Sequence, residues 1–433
     1  MREARGGVLV IGGGFAGGYV ARLLGRRGAT IVNPENFMLY TPMLPEAASG
    51  TLEPPHTVVP LRQMCPHAEL VLGRVTEIDE EARSAQVETP DAGAFEIHYD
   101  QLVLALGAVP RTFPVPGLAE HGLGFKDLAD AIHLRNRVLR ELEAADAELA
   151  SGDVAAHLGF VFVGAGYAGV EALAELADLS HDALRWYPRL RGAPQRWVLV
   201  DAAPKILAEI PSRLGDYAAH TLVWTAGVKA SPTLDQFGMP LDERGRVTVD
   251  PYLRVSGRER VWGLGDCAAV PNQATPGRLD PPTCQHALRQ ARRLAGNLSG
   301  DLAPYRYRML GQVATLGRYK GIADVLGIKL RGFPGWFVTR SYHLFQLPLV
   351  SRKLRVVVDW TTSLFFRRDI AELSGLGAPP RRVTSPGRLR RGRHSRWTPT
   401  GATSGPPRAT ASSSARRRTG RPLARRARAR RPS

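Results

Sequence analysis

The sequence predicts an α/β fold with two doubly wound parallel sheets, a short helical region after them and an unstructured tail. Two stretches carry this reading. Val8-Leu9-Val10-Ile11 is a short apolar run followed by Gly12-Gly13-Gly14-Phe15-Ala16-Gly17, and Phe160-Val161-Phe162-Val163 is followed by Gly164-Ala165-Gly166-Tyr167-Ala168-Gly169. Each reads as a buried strand, a G-x-G-x-x-G turn and the first residues of a helix, the order in which Rossmann-like domains hold a dinucleotide pyrophosphate. A length of 433 residues leaves room for two or three such domains, and 45 glycines with 44% hydrophobic residues suit the class.

In the first unit, Gly12 permits the tight turn, Gly14 lets a phosphate approach the backbone, and Gly17 lets helix pack on strand. The helix's free N–H groups and positive dipole end favour the anion. Residues 29–32 read as the second strand. Asn33 follows, 21 residues after Gly12, where this motif commonly has an acid for the ribose hydroxyls. Three readings are open there: Asn33 binds ribose, Glu35 substitutes for it, or Asn33 starts a turn before Pro34. Residues 36–45 read as a packed apolar loop, 70–78 as a strand, and 85–88 with 95–99 as an antiparallel excursion. Residues 100–108 make a buried strand whose small terminal residues, including Ala105 and Gly107, admit a ligand close to the sheet.

Leu128, Ile132, Leu139 and Leu142 give a helix its apolar face, and 151–153 marks a boundary. In the second unit the strand at 197–200 ends at Asp201, an acid that favours NADH over NADPH because it repels a 2′-phosphate. Residues 215–222 then start like a helix and run directly into a strand at 223–228, although a complete nucleotide domain needs several strands between 201 and 223. The second domain is therefore expected to be internally shortened near 222–223. Residues 260–268 read as strand, glycine turn and acid, with the acid at Asp266. Pro281 and Pro282 set the entry of a helix capped by Thr283 that runs to about Leu298. The expected organisation is a discontinuous first domain at 6–115 and 255–305, a second at 116–254, a C-terminal region at 306–377 and a tail at 378–433.

The formal charge of +18 is unevenly spread: the tail holds 17 Arg and no acid, which leaves about +1 for residues 1–377. A basic groove for specific nucleic-acid binding is therefore not expected in the folded body. The tail lacks the apolar residues to bury a core and is expected to be disordered, either solvated or holding anionic lipid or nucleic acid nonspecifically. The three cysteines form no C-x-x-C and no zinc pattern, so neither a redox dithiol nor a metal site is expected. The first strand begins at Val8, leaving no room for a signal peptide, and no run of about 18 apolar residues occurs. A cytoplasmic or cytoplasm-facing protein is expected. Trp336, Phe337, Leu344, Phe345 and Leu347 suggest one helix stopped near Pro348. Leu354, Val357, Val358, Leu364 and Phe365 suggest a second, edged by Arg352, Lys353, Arg355, Arg367 and Arg368. Such helices suit a membrane-surface anchor, a dimer interface or plain core.

In order, the blocks VLVIGGGFAG, NPENFMLYTPMLPEAASG, FVFVGAGYAGVEA, VWTAGV, VWGLGDCAAVP, PPTCQHALRQ, GQVATLGRYKGIADVLG and HLFQLP resemble the type II NADH:quinone oxidoreductases, over roughly residues 6–377. The resemblance implies FAD phosphates at Gly12, Gly14 and Gly17, adenine at the backbone near Val75, and a cofactor border at Ala105 to Gly107. It places a flavin ribityl hydroxyl at Asp266. NADH falls to Gly164, Gly166 and Gly169, with Asp201 at its ribose and Gly227 beside it. Glu171 would lie near nicotinamide and flavin, and Gln285 on the quinone side. The family's A-Q-x-A-x-Q pattern is imperfect here, because Cys284 replaces the first Ala and Arg289 stands where the second Gln belongs, with Gln290 one place later. The implied activity carries hydride from NADH to FAD and two electrons to a membrane quinone without proton pumping. The implied setting is peripheral, on the cytoplasmic face of the cell membrane, and a homodimer is compatible with it. A soluble flavin reductase with another acceptor is the alternative within enzymes. The shortened second domain points instead to a flavin-binding protein with poor or no NADH oxidation.

Overall fold

A computed structural model describes residues 2–90, 93–148, 154–202 and 219–373, all within the first of two units, Met1–Gly387. The expected helix start at 215–218, the boundary at 151–153 and the tail at 378–433 lie outside the described residues.

The first domain is organised on a five-stranded parallel sheet in the order Val261–Gly263, Gln101–Leu104, Val8–Ile11, Thr30–Asn33, Glu69–Leu72. Val8 to Ile11 are all buried, as a central strand covered on both faces requires. The helices Phe15–Leu23 and Cys284–Leu298 pack together, and Thr283 caps the second as expected. The residues expected to form one strand at 70–78 break at Gly73 into Glu69–Leu72 and Arg74–Asp79. The second piece joins the antiparallel excursion of Ser84–Thr89 and Gly93–His98. The apolar stretch at 36–45 is not a loop. It contains strand Phe37–Leu39, paired with Val58–Pro60, and the buried helix Leu44–Ala48.

The second sheet has four parallel strands in the order Gly122–Gly124, Thr221–Trp224, Gly159–Val163, Arg196–Val200. The helix Leu128–Ala147 starts at a capping box between Asp127 and Asp130. Thr221 and Leu222, expected at the end of a helix, are the first residues of a strand, because Thr221 and Leu222 pair with Phe160 and Val161 of the central strand. Strand Arg196–Val200 is an edge: the first sheet continues outward from Thr30–Asn33 to Glu69–Leu72, whereas no such neighbour occurs here among the described residues. The expected boundary at 254/255 moves upstream. Ala230, Leu234, Phe237, Met239, Val247, Val249 and Leu253 all join the core of the first domain. The two chain crossings pair instead as a ribbon, Ala108–Pro110 with Val228–Ala230.

The C-terminal region, expected to be helical, opens with an antiparallel sheet of Gly311–Thr315, Gly321–Val325 and Ile328–Arg331. Helices Phe333–Gln346 and Val350–Phe365 follow. None of the described helices is long and apolar enough to cross a membrane.

Two buried ion pairs attach this region to both domains. Arg340 Nε donates to Glu46 Oε1 at 3.0 Å, while Trp360 Nε1 donates to Glu46 Oε2 at 2.6 Å. The Arg340 guanidinium lies 4.2 Å from the Trp336 ring centroid and 4.8 Å from that of Trp360. Arg368 donates to Glu175 Oε2 at 2.8 Å and to Thr51 Oγ1 at 3.0 Å, and Ser49 Oγ also donates to Glu175. Replacing Arg340 with Met leaves the Glu46 carboxylate uncompensated, with an expected loss of about 3–5 kcal/mol in denaturant unfolding. Adding Glu46→Gln should restore most of it; an unchanged midpoint in the single variant would show that the pair is not buried.

Candidate active site between two dinucleotide cradles

The two glycine turns are built alike. Gly12 has φ +103° and Gly164 φ +109°, and a Cβ at either would strike backbone, at 2.3 Å from Ala105 O and 2.4 Å from Thr225 O. A Cβ on Gly17 would lie 2.0 Å from Gly12 O, and one on Gly169 2.0 Å from Gly164 O. These four glycines therefore close strand onto helix. Gly14 and Gly166 differ: no atom lies within 4 Å of a Cβ at either, and each is the N-cap of its helix with no side chain on the free N–H groups. A pyrophosphate fits at both, held by backbone N–H groups at a positive helix end.

The residue ending the second strand braces each turn. Gly13 N donates to Asn33 Oδ1 at 2.7 Å, and Asn33 Nδ2 donates to Glu35 O at 2.7 Å. In the second domain Ala165 N donates to Asp201 Oδ2. Asn33 thus shapes the loop rather than merely opening a turn, and Glu35 is exposed. Val75 is buried beside a register shift that separates it from Glu77 in the strand ladder. Ala105 N donates to Ile11 O, and Gly107, at φ +65°, faces open space. Gly227, at φ +84°, is likewise open.

Asp266 follows Gly265 at the foot of the first cradle. Burial raises its carboxyl above the usual range, with Lys126 opposing, and the carboxylate takes no hydrogen bond from the described residues. A hydroxyl donor such as a flavin ribityl group suits it. Gln290 holds this turn, accepting from Gly265 N at 2.8 Å and donating to Asp280 at 3.0 Å. The side chain at 290 is therefore committed to the core. Arg289, in the position expected for glutamine, lies over the Tyr307 ring at 5.3 Å. Gln285 accepts from Tyr307 OH at 3.2 Å and donates to Gly311 O at 3.3 Å.

Glu171, on helix Tyr167–Ala183, is buried and accepts from Thr315 N at 2.9 Å. Burial is the main cause that pushes its carboxyl up to about 8. The Cys284 thiol, first residue of helix Cys284–Leu298, is raised to about 11 chiefly by burial. Glu171 and Gln285 both bond to strand Gly311–Thr315, which is where the two domains converge. The C-terminal helix closes this place, with Tyr40 OH donating to His343 O at 3.2 Å and Tyr19 OH to Gln346 O at 3.1 Å. His343 is half-buried with its Nδ1 shielded from solvent, and that desolvation lowers its imidazolium to about 4 and holds it neutral. Thr225, Gln290 and Thr315 lie inside blocks that the family resemblance marked, but their bracing contacts could not be read from the sequence. Thr225 Oγ1 donates to Val163 O and Gly164 O, at 3.0 and 2.9 Å.

The pyridine nucleotide-disulphide oxidoreductase family profile matches residues 6–222 and 215–291. Among curated proteins, a type II NADH:quinone oxidoreductase of Mycobacterium tuberculosis is 29% identical over 419 residues, covering 83% of this chain and 88% of that protein. A demethylphylloquinone reductase of Synechocystis is 28% identical over 403 residues, covering 84% and 97%. Among solved structures, NDH2 of Plasmodium falciparum in complex with NADH superposes with a TM-score of 0.73 at 17% identity, covering 86% of this chain and 99% of that one. With the profile spanning well over half its length, the chain belongs to the pyridine nucleotide-disulphide oxidoreductase family.

Proposed function

We infer that this chain is a FAD-dependent NADH:quinone oxidoreductase that does not pump protons. The observation that carries the reading is the pair of open glycine cradles, with Glu171 of the second and Gln285 beside the first both bonded to strand Gly311–Thr315. Its relatives of similar length reduce quinones by name. Gly12, Gly14 and Gly17 would hold FAD with Ala105, Gly107, Asp266 and the Val75 backbone; Gly164, Gly166, Gly169, Asp201 and Gly227 would hold NADH. A flavin held there would supply hydride acceptance from NADH and two-electron delivery to a quinone, so that NADH, a proton and quinone would yield NAD⁺ and quinol.

The protein's part is positioning, water exclusion and one proton. Glu171 Oε1 is occupied by Thr315 N–H, which leaves Oε2 to carry a proton below about pH 8. Gln285, fixed between Tyr307 and Gly311, would orient a quinone carbonyl. Protein purified yellow should bleach under anaerobic NADH and regain colour on adding quinone. Gly14→Val, which fills the open side of the first cradle, should purify without flavin. A colourless parent, or a reduced parent indifferent to quinone, would sink the reading.

A second reading, impaired NADH oxidation, is favoured by the position of Arg196–Val200 as the edge strand among the described residues. The two family matches overlap at 215–222, and the Synechocystis alignment runs over more positions than the residues this chain contributes to it. The overlap supports a missing piece between 201 and 223, and the alignment length supports missing positions without locating them. Bleaching only at high NADH favours this reading, and rapid bleaching at micromolar NADH removes it.

The proton on Glu171 has a direction in pH. A carboxyl raised from 4.5 to about 8 stabilises the fold fully below its unfolded value, and that stability is lost as pH rises through about 8. Quinone reduction should fall through the same window. Both slopes should flatten in Glu171→Gln; a variant retaining the parent's profile would exclude the role.

The C-terminal helices support attachment to a membrane surface. Phe337, Phe345, Val350, Leu354, Val358 and Phe365 are all more than half exposed, with Arg352, Lys353, Arg355 and Arg367 alongside. Residues 1–377, freed of the Arg-rich tail, should float with anionic vesicles in low salt. About 1 kcal/mol per basic residue should be lost as salt is raised. Sedimentation away from vesicles in low salt would leave dimerisation as the use of this face.

A further inference from the structure

A cluster remote from both cradles carries chemistry that the redox reaction does not use. Glu141 lies on helix Leu128–Ala147, His157 ends helix Val154–His157, and His220 immediately precedes strand Thr221–Trp224. Three of their atoms converge. His157 Nδ1 is 2.5 Å from Glu141 Oε2 and 3.0 Å from His220 Nδ1, and His220 Nδ1 is 3.5 Å from Glu141 Oε2. The Glu141 and His157 side chains are 5% and 10% exposed, whereas His220 is 37% exposed and opens to solvent.

The hydrogens follow from the partners. His157 Nε2 lies 3.2 Å from Glu148 Oε2, a carboxylate that only accepts, so Nε2 carries the hydrogen. Its Nδ1 faces the Glu141 carboxylate and the His220 imidazole, so the three atoms converge on one point that either a proton on Nδ1 or a shared divalent cation can occupy. A tetrahedral ion at about 2.0–2.2 Å from N and O ligands sets them about 3.3 Å apart, so it would fit the 3.0 and 3.5 Å separations and open the 2.5 Å one by a small side-chain rotation.

The surroundings are those of a ligand set. Arg137 binds Glu141 Oε1 at 2.6 Å and donates to His220 O at 2.7 Å, which turns Oε2 toward the imidazoles. Glu148 holds the far nitrogen of His157, the outer carboxylate that metal-bound histidines characteristically use. His220 N donates to Ala156 O at 3.0 Å, so the backbone at two of the three ligands is pinned as well. We propose that Glu141, His157 and His220 form a zinc-type divalent metal site that ties helix Leu128–Ala147 to the strand entering from the shortened stretch of the second domain. Two imidazoles and one carboxylate suit Zn²⁺ better than Mg²⁺ or Ca²⁺, which take oxygen ligands. Water completes the coordination on the exposed side.

The test uses full-length, untagged protein stripped with a chelator and dialysed against zinc, with zinc read by elemental analysis beside flavin absorbance. The parent should retain one equivalent and unfold at a higher temperature with zinc than without. His220→Ala, at the most exposed ligand, should keep its flavin but lose the zinc and the thermal shift. Glu148→Gln should weaken zinc binding about 10- to 100-fold while leaving all three ligands in place. A parent that retains no zinc, or a His220→Ala protein that retains as much as the parent, would overturn the proposal. So would thermal stability that responds to pH around the histidine range but not to zinc, because the occupant would then be a proton.

Discussion

The arrangement of this protein depends on the cost of burying a carboxylate. Glu46 and Glu175 sit inside the protein, one on the short helix Leu44–Ala48 and one on the helix of the second cradle. Neither is tolerable without a cation and further hydrogen bonds. Both cations come from the C-terminal region, Arg340 from one helix and Arg368 from the chain beyond the next. That region is thereby seated on both domains at once. Its seating brings Thr315 to Glu171, Gly311 to Gln285, and the carbonyls of His343 and Gln346 to Tyr40 and Tyr19. The site closes because the ion pairs do.

Within that frame the two cradles follow one physical rule. The pinched glycines let strand and helix touch, the open ones leave space for phosphate, and the residue ending the second strand braces the loop. Asn33 and Asp201 do this with different chemistry. A neutral amide braces one loop and a carboxylate the other. The redox chemistry belongs to the cofactors, and the residues around Cys284 supply a mostly neutral junction: His343 held uncharged, the thiol undissociated and Glu171 protonated near neutrality.

In the second sheet the central strand Gly159–Val163 has Thr221–Trp224 on one side and Arg196–Val200 on the other, so the glycine turn and Glu171 are held from both sides. Among the described residues Arg196–Val200 is the edge strand. The Glu141–His157–His220 cluster stands where the chain enters strand Thr221–Trp224, and its convergence offers a cross-link between that strand and helix Leu128–Ala147.

What the sequence determined by itself was local. A buried strand, a glycine turn and a helix are contiguous, so both cradles, Asp266, the Thr283 cap and the two C-terminal helices were legible from spacing and periodicity. The family resemblance extended this to Glu171 and Gln285. The tertiary structure alone decided the rest. Residues 230–254 joined the first core, the loop at 36–45 became a strand and a buried helix, and Thr221 and Leu222 were drawn into a strand by pairing with Phe160 and Val161. Glu46 meets Arg340 across 294 residues, Glu175 meets Arg368 across 193, and His157 meets His220 across 63. No periodicity spans such separations: a buried charge or a ligand set is satisfied by whatever the fold brings within hydrogen-bond reach.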